Sequence, residues 1–255
     1  MLNPFLGSWN NEALAARQAP KPYVVVLDPG HGGNDHGASA VLGKKRITEK
    51  EISLGIAIRT ARALRAEEYA GILDRPVQVL LTREKDVYVG LEQRAEIARK
   101  AGADLFVSIH SNSDPSKKGE GLETYFLNNT DQTSDSKLEQ IENRLTQRYK
   151  GPGKQASLLL RSVAADAVVE SSREAAGTLQ ASLGDHLRGK GISFQDRGVR
   201  QGLLYVLLDS QVPAVLLEAF FMSHPGDLKL LNEPDSRQMI ADGLARGILR
   251  YLALH

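Results

Sequence analysis

Two histidines follow apolar runs of the chain and could bind a metal ion. His31 comes after the run Val24–Leu27 across an Asp-Pro-Gly turn, and His110 comes at the end of a second run that starts at Asp104. Both runs predict buried β-strands. Because parallel strands bring their carboxyl ends to one edge of a sheet, we expect the two imidazoles to converge there.

Two carboxylates could join this pair. The segment Thr48-Glu49-Lys50-Glu51 predicts a capping box, so Glu49 lies in the first turn of a helix, where the helix dipole favours an ionised carboxylate. Glu218 follows the apolar run Val212–Leu217. Each also has an ordinary interpretation, Glu49 as a residue that caps its helix and Glu218 as a capped structural carboxylate.

His31, Glu49 and His110 form the two-histidine, one-glutamate set of catalytic zinc sites that keep a position open for water. A second carboxylate, Glu218, could take a proton from that water and pass it to a leaving amine. This is the chemistry of amide hydrolysis. The sequence has no His-Glu-x-x-His segment, so the site would have to be assembled from separate strand ends.

Composition limits the classes of function. The 255 residues are 42% hydrophobic, which is enough for one main domain, and the formal charge of +1 gives no basic footprint for nucleic acid. The chain has no cysteine, so a zinc site must use histidine and carboxylate ligands. No apolar run approaches the roughly 18 residues of a membrane span, and residues 1–21 lack a signal-peptide pattern. We expect residues 1–21 to be an arm or linker and residues 22–255 to be the catalytic domain.

The pattern of the chain predicts an α/β fold with a twisted, mostly parallel sheet of about five or six strands flanked by helices. Strands are predicted near Val24–Leu27, Val77–Leu81, Asp104–Asn112, Gly121–Leu127, Leu203–Leu208 and Val212–Glu218. Helices are predicted after Thr48, at Leu91–Lys100 and after a cap at Ser236. We expect Gly121–Leu127 at a sheet edge.

A polar, helix-forming segment, Asn128–Lys190, interrupts this pattern and is interpreted as an inserted helical segment. It predicts one helix near Ser134–Arg148 and a longer one near Ser157–Arg188, separated by Gly151-Pro152-Gly153. Leu179, Leu183 and Leu187 form one apolar seam, so the second helix should pack against another element, but Gly177 and many charges suggest that it is partly exposed.

Five motifs, in this order, resemble the zinc-dependent N-acetylmuramoyl-L-alanine amidases of bacterial cell-wall turnover. They are Leu27–Gly33, Glu49-Lys50, Leu81-Thr82-Arg83 with Asp86 and Arg94, Ala103-Asp104 through Ser108–Asn112, and Val212–Glu218. The resemblance runs from Tyr23 to Tyr251, nearly the whole domain. It implies zinc on His31, Glu49 and His110, with Glu218 as the catalytic carboxylate, and peptidoglycan as the substrate outside the cytoplasm, in the periplasm or cell wall.

Related cell-division amidases carry helices at the position of Asn128–Lys190, and in some of them a helix covers the zinc until a protein activator binds. The resemblance therefore makes Glu139 and Glu142, on the first predicted helix, candidates for an autoinhibitory contact. The sequence departs from the family pattern at His36 and His224, which we interpret as loop or surface residues.

Two other functions share these residues. A zinc peptidase acting on wall peptides would use the same metal chemistry on a peptide bond. A catalytically silent, peptidoglycan-binding regulatory module would keep the fold but lose a ligand or the base, and all four residues are present here.

Overall fold

The computed structural model describes residues 20–66, 71–127, 136–143 and 166–255. The predicted arm, 1–21, lies almost entirely outside the described residues. The strands are β1 Tyr23–Pro29, β2 Ser39–Leu42, β3 Lys45–Thr48, β4 Val77–Leu81, β5 Leu105–Asn112, β6 Leu122–Leu127, β7 Asp196–Gly202 and β8 Ala214–Phe221. The helices are α1 Glu49–Leu64, α2 Leu91–Ala101, α3 Ser136–Glu142, α4 Asp166–Gly189, α5 Tyr205–Ser210, α6 Pro225–Asn232 and α7 Pro234–Leu252.

Within the described residues, six strands form one sheet in the order β4-β1-β5-β8-β6-β7, and β2 pairs with β3 in a separate hairpin. Strands β4, β1, β5 and β8 are parallel to one another, whereas β6 is antiparallel to β8 and parallel to β7. The prediction of a mostly parallel sheet is confirmed. Four neighbouring carboxyl ends therefore meet at one edge.

Helices cover both faces of the sheet. Val25 and Leu27 of β1 pack in the cluster that contains residues of α1, α4 and α7, whereas Val24 and Val26 pack in the cluster that contains residues of α2 and α5. Because both faces of β1 are buried, the strand is almost continuously apolar.

Helix α4 belongs to the core, which corrects the expectation of a partly exposed insertion. Leu179, Leu183 and Leu187 are each at most 1% exposed. They pack against α7, where a Cβ at Gly243 would lie 2.7 Å from Leu183 Cδ1. The spacing of four residues gives one continuous apolar seam, and a glycine on α7 allows the helices to approach closely.

Two predictions about the sheet are wrong, and one of its strands was not predicted. Leu203–Leu208 was expected as a strand, but α5 begins at Tyr205, and Leu204 O accepts from the backbone N–H of Leu208. A short apolar run buried on all sides has no period that separates strand from helix. The sixth strand of the sheet is instead the polar β7, which pairs with β6. Strand β6 lies between β8 and β7, not at an edge.

Other boundaries differ by a few residues. The last helix begins at Pro234 with Glu233 as its N-cap, three residues before the predicted cap Ser236, because proline fits the first helical position. Strand β8 continues beyond Glu218 to Phe221. None of the helices in the described residues is long and apolar enough to span a membrane.

Candidate active site

His31 lies just past β1, at the carboxyl edge of the sheet. Its backbone is in the left-handed region, with φ at 59°. Its Nδ1 lies 2.7 Å from Asp35 Oδ2, and Arg94 Nη2 donates to its backbone oxygen over 2.6 Å. The Asp35 contact fixes the orientation of the ring, so that Nε2 faces Glu49.

Glu49 and His110 converge on the same point. Glu49 is the first residue of α1, and its Oε1 lies 3.0 Å from His31 Nε2 and 2.9 Å from His110 Nδ1. The other carboxylate oxygen accepts from the Ala38 backbone N–H over 2.8 Å. All three side chains are buried. The capping box predicted at Thr48 is present, so the turn that carries Glu49 forms as expected.

Two glycines leave the space into which His110 and Glu49 fit. A Cβ at Gly30 would lie 2.4 Å from the His110 ring, and one at Gly37 would lie 2.4 Å from Glu49 Oε2. These distances are far below van der Waals contact, so any larger residue would displace His110 or Glu49. The glycine-rich sequence around His31 is therefore explained by the site.

A buried ion pair holds the strand end beneath His31. Asp28 Oδ1 lies 2.6 Å from Arg94 Nη1 and also accepts from Thr82 Oγ1, while Asp28 Oδ2 accepts from Ser108 Oγ. Burial raises the pKa of Asp28, but Arg94 and the hydroxyl donors outweigh it and leave that pKa below its ordinary value. The motif residues Thr82 and Arg94 thus hold the strand end that precedes His31.

Glu142, from α3, enters the same group. Its Oε2 lies 3.2 Å from His110 Nδ1 and 3.8 Å from His31 Nε2. Among the described residues, His31, Glu49, His110 and Glu142 offer one ligand atom each, and these atoms all lie within 4.8 Å of one another.

The electrostatics of the group are those of carboxylates that surround a cation. Burial lowers the pKa of His31, but Glu49 and Asp35 outweigh it and raise this pKa to about 11. Burial raises the pKa of Glu49, and the two histidines more than reverse that effect. Burial also raises the pKa of Glu142, and the histidines only partly offset it. Positive charge at this point is strongly favoured.

The donor set fits a zinc ion. His31 Nε2 is buried and makes no hydrogen bond of acceptable geometry within the described residues, although it faces Glu49. Two imidazole nitrogens and a carboxylate oxygen are a donor set that catalytic zinc sites use, so His31, Glu49 and His110 would suit a zinc ion, and Glu142 lies in the same group.

Glu218 lies beside this group on β8 and is not one of its four members. It is 1% exposed and stands opposite His110 across the β5–β8 pair. It also stands opposite Glu123 across the antiparallel β6–β8 pair. The buried carboxylate is therefore one strand away from His110, at the same edge of the sheet.

The other candidate residues lie elsewhere. Glu139 does not join the group, contrary to expectation, because its Oε1 accepts from the Leu203 backbone N–H over 2.5 Å. His36 is exposed, and His224 is half-buried and caps α6 by accepting from the Asp227 backbone N–H. Sequence reasoning missed Asp35; an acid four residues after a histidine in a glycine-rich loop was the only signal for it.

Comparison with known proteins agrees with this geometry. The family model described as N-acetylmuramoyl-L-alanine amidase matches residues 25–250. The amidase AmiA of Escherichia coli K12 is 33% identical over 241 residues, which cover 92% of this chain and 78% of AmiA.

Solved structures show the same fold. An N-acetylmuramoyl-L-alanine amidase from Clostridium difficile 630 superposes with a TM-score of 0.66 at 26% identity, covering 91% of this chain and 97% of that one. The CwlD amidase of Clostridioides difficile, solved in complex with the GerS lipoprotein, has a TM-score of 0.65 at 24% identity, covering 91% of this chain and 100% of that one. This chain belongs to the N-acetylmuramoyl-L-alanine amidase family, and it is an amidohydrolase of the bacterial cell wall.

Proposed function

We propose that this amidase cleaves the bond between the lactyl group of N-acetylmuramic acid and L-alanine with a zinc ion held by His31, Glu49 and His110, releasing stem peptides from peptidoglycan. The observation that carries the proposal is the convergence of these three side chains, from three separate elements, on ligand atoms within 4.8 Å of one another. A bound zinc ion would supply Lewis acidity to the scissile carbonyl and would lower the pKa of water there.

The chain's own residues supply the proton transfers. Glu218 takes a proton from the attacking water and gives it to the leaving nitrogen of L-alanine. Its burial within the apolar strand β8 keeps bulk water from competing for that proton. Asp35 keeps His31 in the tautomer that binds metal through Nε2, since its carboxylate contacts Nδ1.

Helix α3 restrains the enzyme in this proposal. Glu142 occupies the place at which substrate and water would enter, 3.2 Å from His110 Nδ1. Leu138 of the same helix is 4% exposed and packs with residues of α5, so α3 is seated on the domain. A protein activator that prefers the chain with α3 displaced would increase turnover.

The same proposal covers the chain's location and organisation. The substrate lies outside the cytoplasm, so the enzyme acts in the periplasm or cell wall. Residues 22–255 act as one catalytic domain, and the inserted part is limited to the segment that includes α3, since α4 packs in the core.

Digestion of purified peptidoglycan tests the reaction. The zinc-loaded chain should release whole stem peptides that begin with L-alanine, with cross-links intact, and a chelator should stop the release. Single amino acids, with peptide still on the glycan, would indicate the peptidase. Unchanged peptidoglycan with bound protein would indicate the silent module.

A further inference from the structure

The turn that carries His31 has little conformational preference of its own. His31, Gly32 and Gly33 are three consecutive residues with positive φ, at 59°, 129° and 58°. Glycine adopts many backbone conformations, so a glycine-rich turn loses much conformational entropy when it becomes ordered. Contacts from outside the turn are therefore needed to keep the His31 ring 3.0 Å from Glu49.

Arg83 joins this turn to the helix that carries Glu49. Its side chain is buried, and its Nη2 donates to Gly30 O over 2.7 Å and to Lys50 O over 2.9 Å. Gly30 precedes His31 in the chain, and Lys50 follows Glu49. One guanidinium nitrogen therefore spans the backbone beside both possible metal ligands.

Lys50 makes a second link, on the other side of His31. Its Nζ donates to Gly33 O over 2.8 Å and lies 2.7 Å from Asp86 Oδ2. The Gly33 N–H donates to Asp86 Oδ1 over 2.7 Å. The Lys50 side chain is 10% exposed and that of Asp86 is 55% exposed. The turn is therefore tied at both ends to the residue that follows Glu49.

The buried guanidinium of Arg83 is bound by the backbone and not by a carboxylate. Within the described residues its hydrogen bonds go to one hydroxyl and four carbonyl oxygens, which are Ser53 Oγ and the backbone oxygens of Pro29, Gly30, Lys50 and Lys85. Burial and the neighbouring Arg94 lower the pKa of Arg83 to about 10, so the group stays charged at neutral pH.

This arrangement favours a positioning role for Arg83 over a contribution to stability. Burial of a charge costs free energy even when the charge is paired and hydrogen-bonded. The rigid fork of five N–H donors, however, holds several backbone segments at fixed distances from one another.

We propose that Arg83 and Lys50, together with Asp86, are positioning residues that hold His31 and Glu49 at metal-binding distance before the ion arrives. This inference rests on the proposed function, because it concerns the same zinc ligands. Replacing residues that orient metal ligands typically weakens metal affinity by about 10- to 100-fold.

Zinc affinity tests the inference, measured by competition with a chromophoric chelator on protein without substrate. Arg83→Gln removes the guanidinium fork, so its zinc Kd should rise roughly 10- to 100-fold. Asp86→Ala, at an exposed position, should raise the Kd by a smaller factor, roughly 3- to 10-fold. Asp86→Asn keeps an acceptor for the Gly33 N–H and should lie between Asp86→Ala and the wild type.

Bound Co²⁺ gives a second readout, because its visible absorption reports the arrangement of the ligands. The Co²⁺ spectrum should change in Arg83→Gln, whereas Arg83→Lys, which keeps the charge but not the fork, should recover part of the zinc affinity.

Two control variants separate positioning from stability. Glu96→Ala removes a surface carboxylate that is paired with Lys100 on α2, and it should bind zinc as the wild type does. Leu183→Ala removes a buried leucine that packs against α7, so it should lower the unfolding temperature and leave the zinc Kd unchanged. All affinities are measured at a temperature at which thermal unfolding shows each protein to be folded.

Parent zinc affinity in both Arg83→Gln and Asp86→Ala would overturn the positioning role. It would also be overturned if Leu183→Ala lost as much affinity as Arg83→Gln at an equal loss of stability. If Arg83→Gln does not fold, the comparison of Asp86→Ala with Glu96→Ala decides alone.

The affinity measurement also separates this inference from the proposed function. The expected order of zinc affinities in a protein that releases no stem peptides would refute only the proposed function. Release of stem peptides by the wild type, with unchanged zinc affinity in the Arg83 and Asp86 variants, would refute only the positioning role.

Discussion

Removal of the contacts that hold α3 should activate the enzyme without an activator. Within the described residues, three hydrogen bonds join α3 and the residue that follows it to the backbone of Leu203 and Tyr205. Asn143 Nδ2 donates to Leu203 O over 2.6 Å, and Asn143 Oδ1 accepts from the Tyr205 N–H over 2.8 Å. Glu139 Oε1 accepts from the Leu203 N–H over 2.5 Å. None of these three bonds involves His31, Glu49, His110 or Glu142.

The size of the effect follows from the bonds removed. We call the chain closed when α3 is seated on the domain and open when α3 is displaced. Asn143→Ala deletes two hydrogen bonds of about 1 kcal/mol each, and every 1.4 kcal/mol changes an equilibrium tenfold. The ratio of open to closed chains should therefore rise roughly 30-fold. Adding Glu139→Ala deletes the third bond and brings the rise to roughly 100-fold. Leu138 remains buried and still favours the closed form by about 1.5–3 kcal/mol.

The assay is basal release of stem peptides from purified peptidoglycan, with zinc content and thermal unfolding measured on each protein. Gln140→Ala is the matched control, because Gln140 is an exposed residue of the same helix. The rate should rise from the control to Asn143→Ala and again to the double variant, until the open form predominates.

A folded, zinc-loaded Asn143→Ala protein that cleaves no faster than Gln140→Ala would refute the reasoning. Slower cleavage with weaker peptidoglycan binding would mean that α3 binds substrate and does not restrain the site.

Three further predictions concern the metal group. Glu218→Gln should retain one zinc per chain but lose roughly 10²- to 10⁴-fold in rate, because the amide cannot accept a proton; elemental analysis and peptide release measure the two quantities. His110→Ala should lose zinc, whereas His36→Ala, at an exposed histidine, should keep it by the same elemental analysis. The metal-free chain should become less stable as pH rises from about 6.5 towards 11. The pKa of His31 is about 6.5 in the unfolded chain and is raised to about 11 in the folded chain. Protonated His31 therefore stabilises the fold fully below pH 6.5, and this contribution is lost as the pH rises to the folded pKa. Urea unfolding of chelated protein at several pH values measures this loss.

Each of these three predictions has a contradicting outcome. A Glu218→Gln protein that turns over at the parent rate would remove Glu218 from the reaction. Full zinc occupancy in both His110→Ala and His31→Ala would place the metal elsewhere. A metal-free chain whose stability does not fall above pH 6.5, or falls equally in His31→Gln, would contradict the charge balance described for His31.

The convergence of His31, Glu49 and His110 was predictable because each residue follows a recognisable sequence signal. His31 and His110 end apolar strands, and the capping box places Glu49 in the first turn of α1. The parallel order of β1 and β5 then brings the two histidines together, and this order follows from general rules for α/β sheets.

Features that depend on tertiary packing were not predictable in the same way. The run Leu203–Leu208 is apolar because both sides of α5 and the preceding turn are buried, so its sequence has no clear period. Strand β7 is polar because it lies at the sheet edge, and its residues Arg197 and Arg200 pair with Glu123 from a neighbouring strand. Glu142 reaches the two histidines whereas Glu139 binds the Leu203 backbone, and this difference depends on the rotation of α3 about its axis. The residue types alone do not reveal that rotation.

Hydrolysis in water enriched in ¹⁸O tests the central claim most directly. If the proposed residues cleave the lactyl amide, mass spectrometry should find one ¹⁸O atom in the lactyl carboxylate of the glycan fragment, and the released stem peptide should begin with an unlabelled L-alanine. An ¹⁸O atom in a peptide carboxylate, with the lactyl amide intact, would contradict the claim.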